Sequence, residues 1–249
     1  MEPEILYKYR PFNENTIKIL LSERLYFSSR KNFNDPLDSS ACYQSSLTEY
    51  EMLLAWDSTV SKLNYGTGDT SVAGMQEDLE RYCNEYLDGI GILSMSADYA
   101  SPLMWSHYAD NHKGVCLGFR RDREFEVNDF YSPPLTQVVY GGSRTININN
   151  FLEDRYPDKD FMRQLVMPAL LAKAPNWFYE HEWRYLHDYA NVESEIPADL
   201  EEVIFGWRVS DHVKETVFRL LLGFTEVQYY QMEFHTESFE MEKVPIELD

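Results

Sequence analysis

Three short segments of the chain carry side chains suited to chemistry, and their order is informative. The first, Tyr7 to Arg10, brings Tyr9 and an arginine up to Pro11. The second, Ser94-Met95-Ser96, is the only Ser-x-Ser in the sequence. The third, Glu180-His181-Glu182, follows the aromatic run Trp177, Phe178, Tyr179. A guanidinium can grip a phosphate or pyrophosphate through two parallel hydrogen bonds, and serine hydroxyls can hold a sugar or order the arginine. A carboxylate stabilises the cationic sugar that forms when a glycosidic bond breaks. The Glu-x-Glu spacing occurs six times: Glu2/Glu4, Glu49/Glu51, Glu124/Glu126, Glu180/Glu182, Glu193/Glu195 and Glu240/Glu242. Order and aromatic context single out the fourth.

Further candidates lie in two blocks. In MWSHYADNHKG, His107 is a candidate site residue, Trp105 and Tyr108 could stack on a ring, and Lys113 could supply charge to a phosphate. In FNDPLD, Asp35 and Asp38 beside Asn34 could reach a site. Each residue also has a plain structural use. Arg10 can pair with an acid at a sheet edge, Ser94 and Ser96 can bond local backbone, and Glu182 can partner Arg184. Trp105 and Tyr108, three apart, suit a helix packing on a core, and FNDP suits a turn. His107 and His112 are five apart, about 140° around a helix, so no metal is expected. No Walker loop, GxGxxG, GxSxG or HExxH motif is present.

The elements that must position these residues can be read from periodicity. Ile5–Arg10, Leu25–Ser28, Gly91–Ser96, Gly114–Phe119, Leu135–Tyr140, Glu202–Phe205, Val227–Phe234 and Phe239–Val244 are expected as strands. Asn13 caps a helix that puts Ile17, Leu20 and Leu21 on one face, and Ser101-Pro102 opens a short one. Helical spacing recurs over Ser46–Leu63, Val72–Leu87, Asp158–Lys173 and Ser210–Leu222, with Pro168 expected to kink or end the third of these early. The segment NYGTGDT is a linker, and WFYEHEWRYL a turn entering a strand. Strands and helices mix without a βαβ beat, which favours an α+β fold with a largely antiparallel sheet. One domain over residues 1–249 is expected, with residues 46–89 as a helical insertion between strands.

Charge narrows the partners. The 249 residues hold 42 acids against 22 bases, a net of −20, which opposes a broad nucleic-acid footprint. Residues 193–249 hold 14 of the acids and 4 of the bases, while residues 1–31 hold 6 bases and 4 acids. A second small basic island comprises Lys113, Arg120, Arg121 and Arg123. At 44% hydrophobic and 15% aromatic, the chain is too apolar for a disordered acidic one. Three scattered cysteines, Cys42, Cys83 and Cys116, suit a reducing compartment, and no apolar run reaches signal-peptide or membrane-span length. A soluble, cytoplasmic protein with no membrane partner is expected.

The order arginine, serine pair on a strand, and Glu-x-Glu after an aromatic turn resembles the Arg-Ser-Glu signature of the ADP-ribosyltransferase superfamily, with Met95 where a Ser-Thr-Ser triplet would have threonine. The wider succession YKYR, LYFSSRKNFNDPLD, LSMSAD, LMWSHYADNHKGVCLGF, Lys173, YEHEWR and VIFG looks like a family of bacterial domains of unknown function, often met near mobile elements and defence genes. The first resemblance implies a split, largely antiparallel sheet and NAD as substrate, cleaved at the nicotinamide–ribose bond. It further implies that Arg10 contacts the NAD phosphates or adenosine ribose. Ser94, with Ser96 in reserve, would hold the nicotinamide ribose, Glu182 would stabilise the cation, and Glu180 would activate an acceptor whose identity stays open. A toxin or defence effector is the corresponding role. Two other functions stand beside it: a non-catalytic NAD or ADP-ribose sensor, and an acidic protein-interaction module.

Overall fold

A computed structural model describes residues 2–61, 67–122, 135–152, 158–224 and 226–247. The chain begins with β1 (Ile5–Arg10), α1 (Glu14–Ser22), β2 (Leu25–Phe27) and β3 (Cys42–Gln44). Two helices follow, α2 (Glu49–Trp56) and α3 (Val72–Gly89), before β4 (Gly91–Ser96), α4 (Pro102–Tyr108) and β5 (Val115–Arg121). Next come β6 (Leu135–Gln137), β7 (Val139–Tyr140), β8 (Thr145–Asn147), α5 (Lys159–Leu171) and β9 (Ala172–Lys173). The last stretch holds β10 (Glu182–His187), β11 (Val192–Ser194), β12 (Ala198–Phe205), α6 (Asp211–Leu220), β13 (Gln228–Phe234) and β14 (Met241–Pro245). The end of the helical run expected at Leu63, part of the NYGTGDT linker, Arg123 and the Glu124/Glu126 pair lie outside the described residues.

An eight-stranded sheet in the order β14-β13-β12-β5-β1-β4-β10-β6 organises these elements, antiparallel except for the β12–β13 pair. This is the mixed α and β, mostly antiparallel architecture that the absence of a βαβ beat implies. Alternation along β1 sends Leu6 into one core and Tyr7 and Tyr9 into another. On the first side α1 and α6 cover the sheet with Ile19, Leu20 and Val217, joined by Leu221 just past the end of α6. On the second, α4 contributes Met104 and Trp105. A third core joins α2, α3 and α5 to Ile92 and Leu186 of the sheet.

Caps fix where the helices start. The Asn13 side chain accepts from the Asn15 and Thr16 N–H groups, and Thr48 and Glu51 form a reciprocal capping box at α2. Ser101 caps α4 with Pro102 just inside it, and Asp158 accepts from the Phe161 N–H. Pro168 does not end α5, which runs on to Leu171. Gln164, whose carbonyl loses its usual amide partner, and Pro168 both face solvent, while Ala169 to Leu171 are buried and hold the final turn. Leu135–Tyr140 is two strands rather than one: β6 pairs with β10, and β7 leaves that ladder to pair with β9.

The sheet has a seam. β1 pairs with β5 over six residues and β4 with β10 over six, yet β1 and β4 share one registered pair, Tyr7 with Ser96. Beyond it the strands splay, and Ile92 of β4 exchanges backbone bonds with Ser28 instead, at 2.8 and 3.0 Å. The Lys8 ammonium crosses the gap to the Ser94 carbonyl at 2.5 Å.

Candidate functional site

Beside this seam lies a buried charge cluster. Lys173, at the end of β9, is placed by the α5 terminus and the parallel β7–β9 pair. Its ammonium contacts the Glu180 carboxylate directly, Glu182 at 2.8 Å and Asp38 at 3.2 Å. Arg184 of β10 is fully buried, donating through Nε to Glu182 Oε1 at 2.8 Å and through Nη2 to Asp38 at 2.7 and 3.0 Å. Its Nη1 reaches Ser39 Oγ at 2.7 Å and the Leu170 carbonyl at 2.5 Å, so every nitrogen of the fork has an acceptor. A short 3₁₀ turn over Pro175–Glu180 ends at His181 with φ of 44°, and this left-handed residue lets the two glutamates flanking it meet one lysine.

Three carboxylates thus face two firmly paired cations, and Lys8 lies near enough to feel both glutamates. Burial pushes the Glu182 carboxyl up, but Arg184 and Lys173 outweigh it and hold it at about 2. Burial alone would discharge Lys173; Glu182, Asp38 and Glu180 reverse this and raise its pKa. Lys8 is lowered to about 8, first by burial and then by Arg10. Tyr108 of α4 donates to Glu180 Oε1 at 2.7 Å, and burial together with that bond raises the phenol. The Glu182 N–H donates to the Tyr140 hydroxyl at 2.8 Å.

A cavity of about 470 Å³ opens onto this cluster, with Tyr108, His107, Asn34, Lys173, Glu180 and Glu182 in its wall. A second cavity of about 430 Å³ fills the splay between β1 and β4 on the α1 side, lined by Arg10. Lys8, Ser94 and Phe33 belong to both.

The structure brings most of the expected residues to the first cavity: Glu180, Glu182, Ser94, Ser96, Tyr9, His107, Tyr108 and Asn34. Arg10 is not among them and stands in the second cavity, because alternation on β1 turns it with Lys8 toward α1. Trp105 is fully buried, its indole N–H donating to the Tyr99 carbonyl at 2.8 Å, which leaves it no face for a ligand. Lys113 is exposed in the turn after α4, away from both cavities. Asp35 accepts from Trp177 Nε1 at 2.8 Å and so braces the aromatic turn from outside. Ser96 is spent on backbone, donating to the Glu180 carbonyl at 2.7 Å and accepting from the Asp98 N–H at 3.0 Å. The Tyr9 hydroxyl donates to the Asp98 carbonyl at 2.8 Å.

Lys173, Asp38, Arg184 and Lys8 carry the electrostatics; of these the sequence offers Asp38 as a residue that could reach a site and Arg184 as a partner of Glu182, and it assigns no site role to Lys173 or Lys8. Lys8 follows from the same pattern, since alternation puts it on the Arg10 side of β1. The other three lie on separate segments, and only folding shows that they converge.

A family model described as a protein of unknown function (DUF2971) matches residues 104–185. That third of the chain includes Tyr108, Lys173, Glu180, Glu182 and Arg184, and excludes Arg10, Asn34, Asp38 and Ser94. No curated protein matches the chain, and neither does any solved structure.

Proposed function

We propose that the first cavity binds NAD and that the chain cleaves its nicotinamide–ribose bond, as an ADP-ribosyltransferase-like enzyme or NAD glycohydrolase serving as a toxin or defence effector. The observation that carries this reading is Glu182, a carboxylate held ionised in the cavity wall by Arg184 and Lys173. A group that cannot pick up a proton at neutral pH is unsuited to general acid work and suited to opposing positive charge. In the reaction the C1′–N1 bond breaks, its electron pair leaves with neutral nicotinamide, and the ribosyl cation is taken by a nucleophile. Glu182 supplies the stabilising field, Ser94 holds the ribose, and Glu180, bonded to Tyr108, receives the proton of the acceptor. The acceptor is a hydroxyl, an amine or water.

One observation favours a second reading, a sensor that binds NAD or ADP-ribose without turnover. Both Glu182 oxygens already accept protein hydrogen bonds, Oε1 from Arg184 and Oε2 from Lys173 and Arg184. Incubation with labelled NAD separates the two. Nicotinamide release that is lost in Glu182→Gln supports the enzyme, and saturable NAD binding without release supports the sensor. If neither NAD nor ADP-ribose raises the melting temperature, both readings fail and the acidic interaction module gains.

A further inference from the structure

The second cavity collects positive charge in a chain whose net charge is −20. Lys8, Arg10, Lys18 and Arg24 line it, with Glu193 the one acid among its lining residues. Arg10 is the telling member. Its Nε is buried without an acceptor, and among the described residues the guanidinium has neither a hydrogen bond nor an ion pair. A desolvated, unmatched guanidinium is unfavourable unless something anionic completes it. Lys18 is exposed and has no ion-pair partner among the described residues. Arg24 donates to the Glu193 carbonyl at 2.6 Å and lies 3.9 Å from Glu195, both at the exposed rim. Lys8 donates to the Ser94 carbonyl and has no ion pair among the described residues, though both glutamates of the first cavity act on it.

We infer that this wedge is a binding site for a phosphate-bearing ligand, separate from the carboxylate cavity, whose phosphate or pyrophosphate group sits among Arg10, Lys18 and Arg24. Four cations line the wedge against Glu193, with Glu195 3.9 Å from Arg24 at the rim, and that excess calls for a multiply charged anion. A phosphomonoester or pyrophosphate supplies that charge, where a single carboxylate would leave most of it unmatched. The fork of a guanidinium also matches paired phosphate oxygens. Lys8, whose ammonium bonds the Ser94 carbonyl, lines both cavities, and on this proposal the wedge fills while the carboxylate cavity is occupied. Burial lowers the Arg10 pKa, which a bound anion would oppose. The inference does not depend on NAD being the ligand of the other cavity.

Isothermal titration with inorganic pyrophosphate, alone and with saturating NAD, tests it. Saturable binding is expected in both cases, weakened by about tenfold or more in Arg10→Gln. Because Arg10 is partly buried, the exposed pair Lys18→Gln/Arg24→Gln gives an independent variant that should show the same direction of loss. Absence of binding at millimolar pyrophosphate, affinity unchanged in both variants, or displacement of pyrophosphate by NAD would each overturn the inference. Failure of NAD to bind while pyrophosphate binds would refute the proposed function and leave the wedge site standing.

Discussion

Replacing Lys173 by methionine keeps a long apolar stem and removes the cation on which Asp38, Glu180 and Glu182 converge. At an effective dielectric of about 20, one charge pair at 2.8 Å is worth about 6 kcal/mol and one at 3.2 Å about 5 kcal/mol before desolvation is charged against it. Most of that gross attraction offsets the cost of burial, and breaking a buried pair typically leaves a net loss of about 3–5 kcal/mol. Lys173→Met should therefore lose about that much stability in urea unfolding at pH 7. In the variant, Arg184 still pairs with Asp38 and Glu182, while Glu180 keeps the Tyr108 hydroxyl but has lost its cation, so at least one of the three buried carboxylates has a folded pKa above its unfolded value. Between those two values the folded state binds the extra proton, so stability should rise as pH falls from 7 toward 5. Lys173→Arg, which restores the charge, should recover part of the loss. Wild-type stability in Lys173→Met at pH 7, or a deficit that widens on acidification over that range, would refute the reasoning.

Three further outcomes follow from the same geometry. The Glu182 carboxyl is held at about 2 against an ordinary 4.5, so its contribution is complete above pH 4.5 and is lost as pH falls toward 2; the loss, roughly 3 kcal/mol, should appear in urea titrations across that window and be absent in a folded Glu182→Gln protein. Tyr108→Phe deletes the 2.7 Å bond to Glu180 and should cost about 1 kcal/mol in chemical denaturation, together with a fall in any NAD turnover. Gly114→Ala would put a methyl 2.1 Å from the Arg10 carbonyl, which is backbone and cannot swing aside, so about 3 kcal/mol or more should be lost in thermal or urea melts; a variant as stable as wild type would contradict the packing described.

Much of the framework is legible from local pattern. β1, β4, β5 and β13 alternate or run apolar, and Asn13, Ser101 and Asp158 are caps whose chemistry acts within four residues. What escapes is set by distant partners. β3 and β8 are three residues each and exist because Cys42–Gln44 meets Thr145–Asn147 in parallel, a pairing with no local signal. The change of partner at Val138 is equally invisible, since Leu135–Tyr140 has one uninterrupted β-like composition. At the site, the short motifs locate Glu180, Glu182 and Tyr108, while Lys173, one of the two cations that hold Glu182 ionised, comes from elsewhere. Arg184 is legible as a possible partner of Glu182 two residues away, but Asp38 and Lys173 reach it only because the FNDP loop and the α5 terminus are folded against β10.

The seam between β1 and β4 makes the sheet a pair of panels joined at one rung, with Ser28 and the Lys8 side chain serving as patches on the opened edges. A molecule wedged there acts as a splint: what it gains in contact energy it also returns as stiffness between the panels. Occupancy of the wedge and slow hydrogen exchange along Lys8–Arg10 and Ile92–Ser94 are therefore two readouts of a single equilibrium.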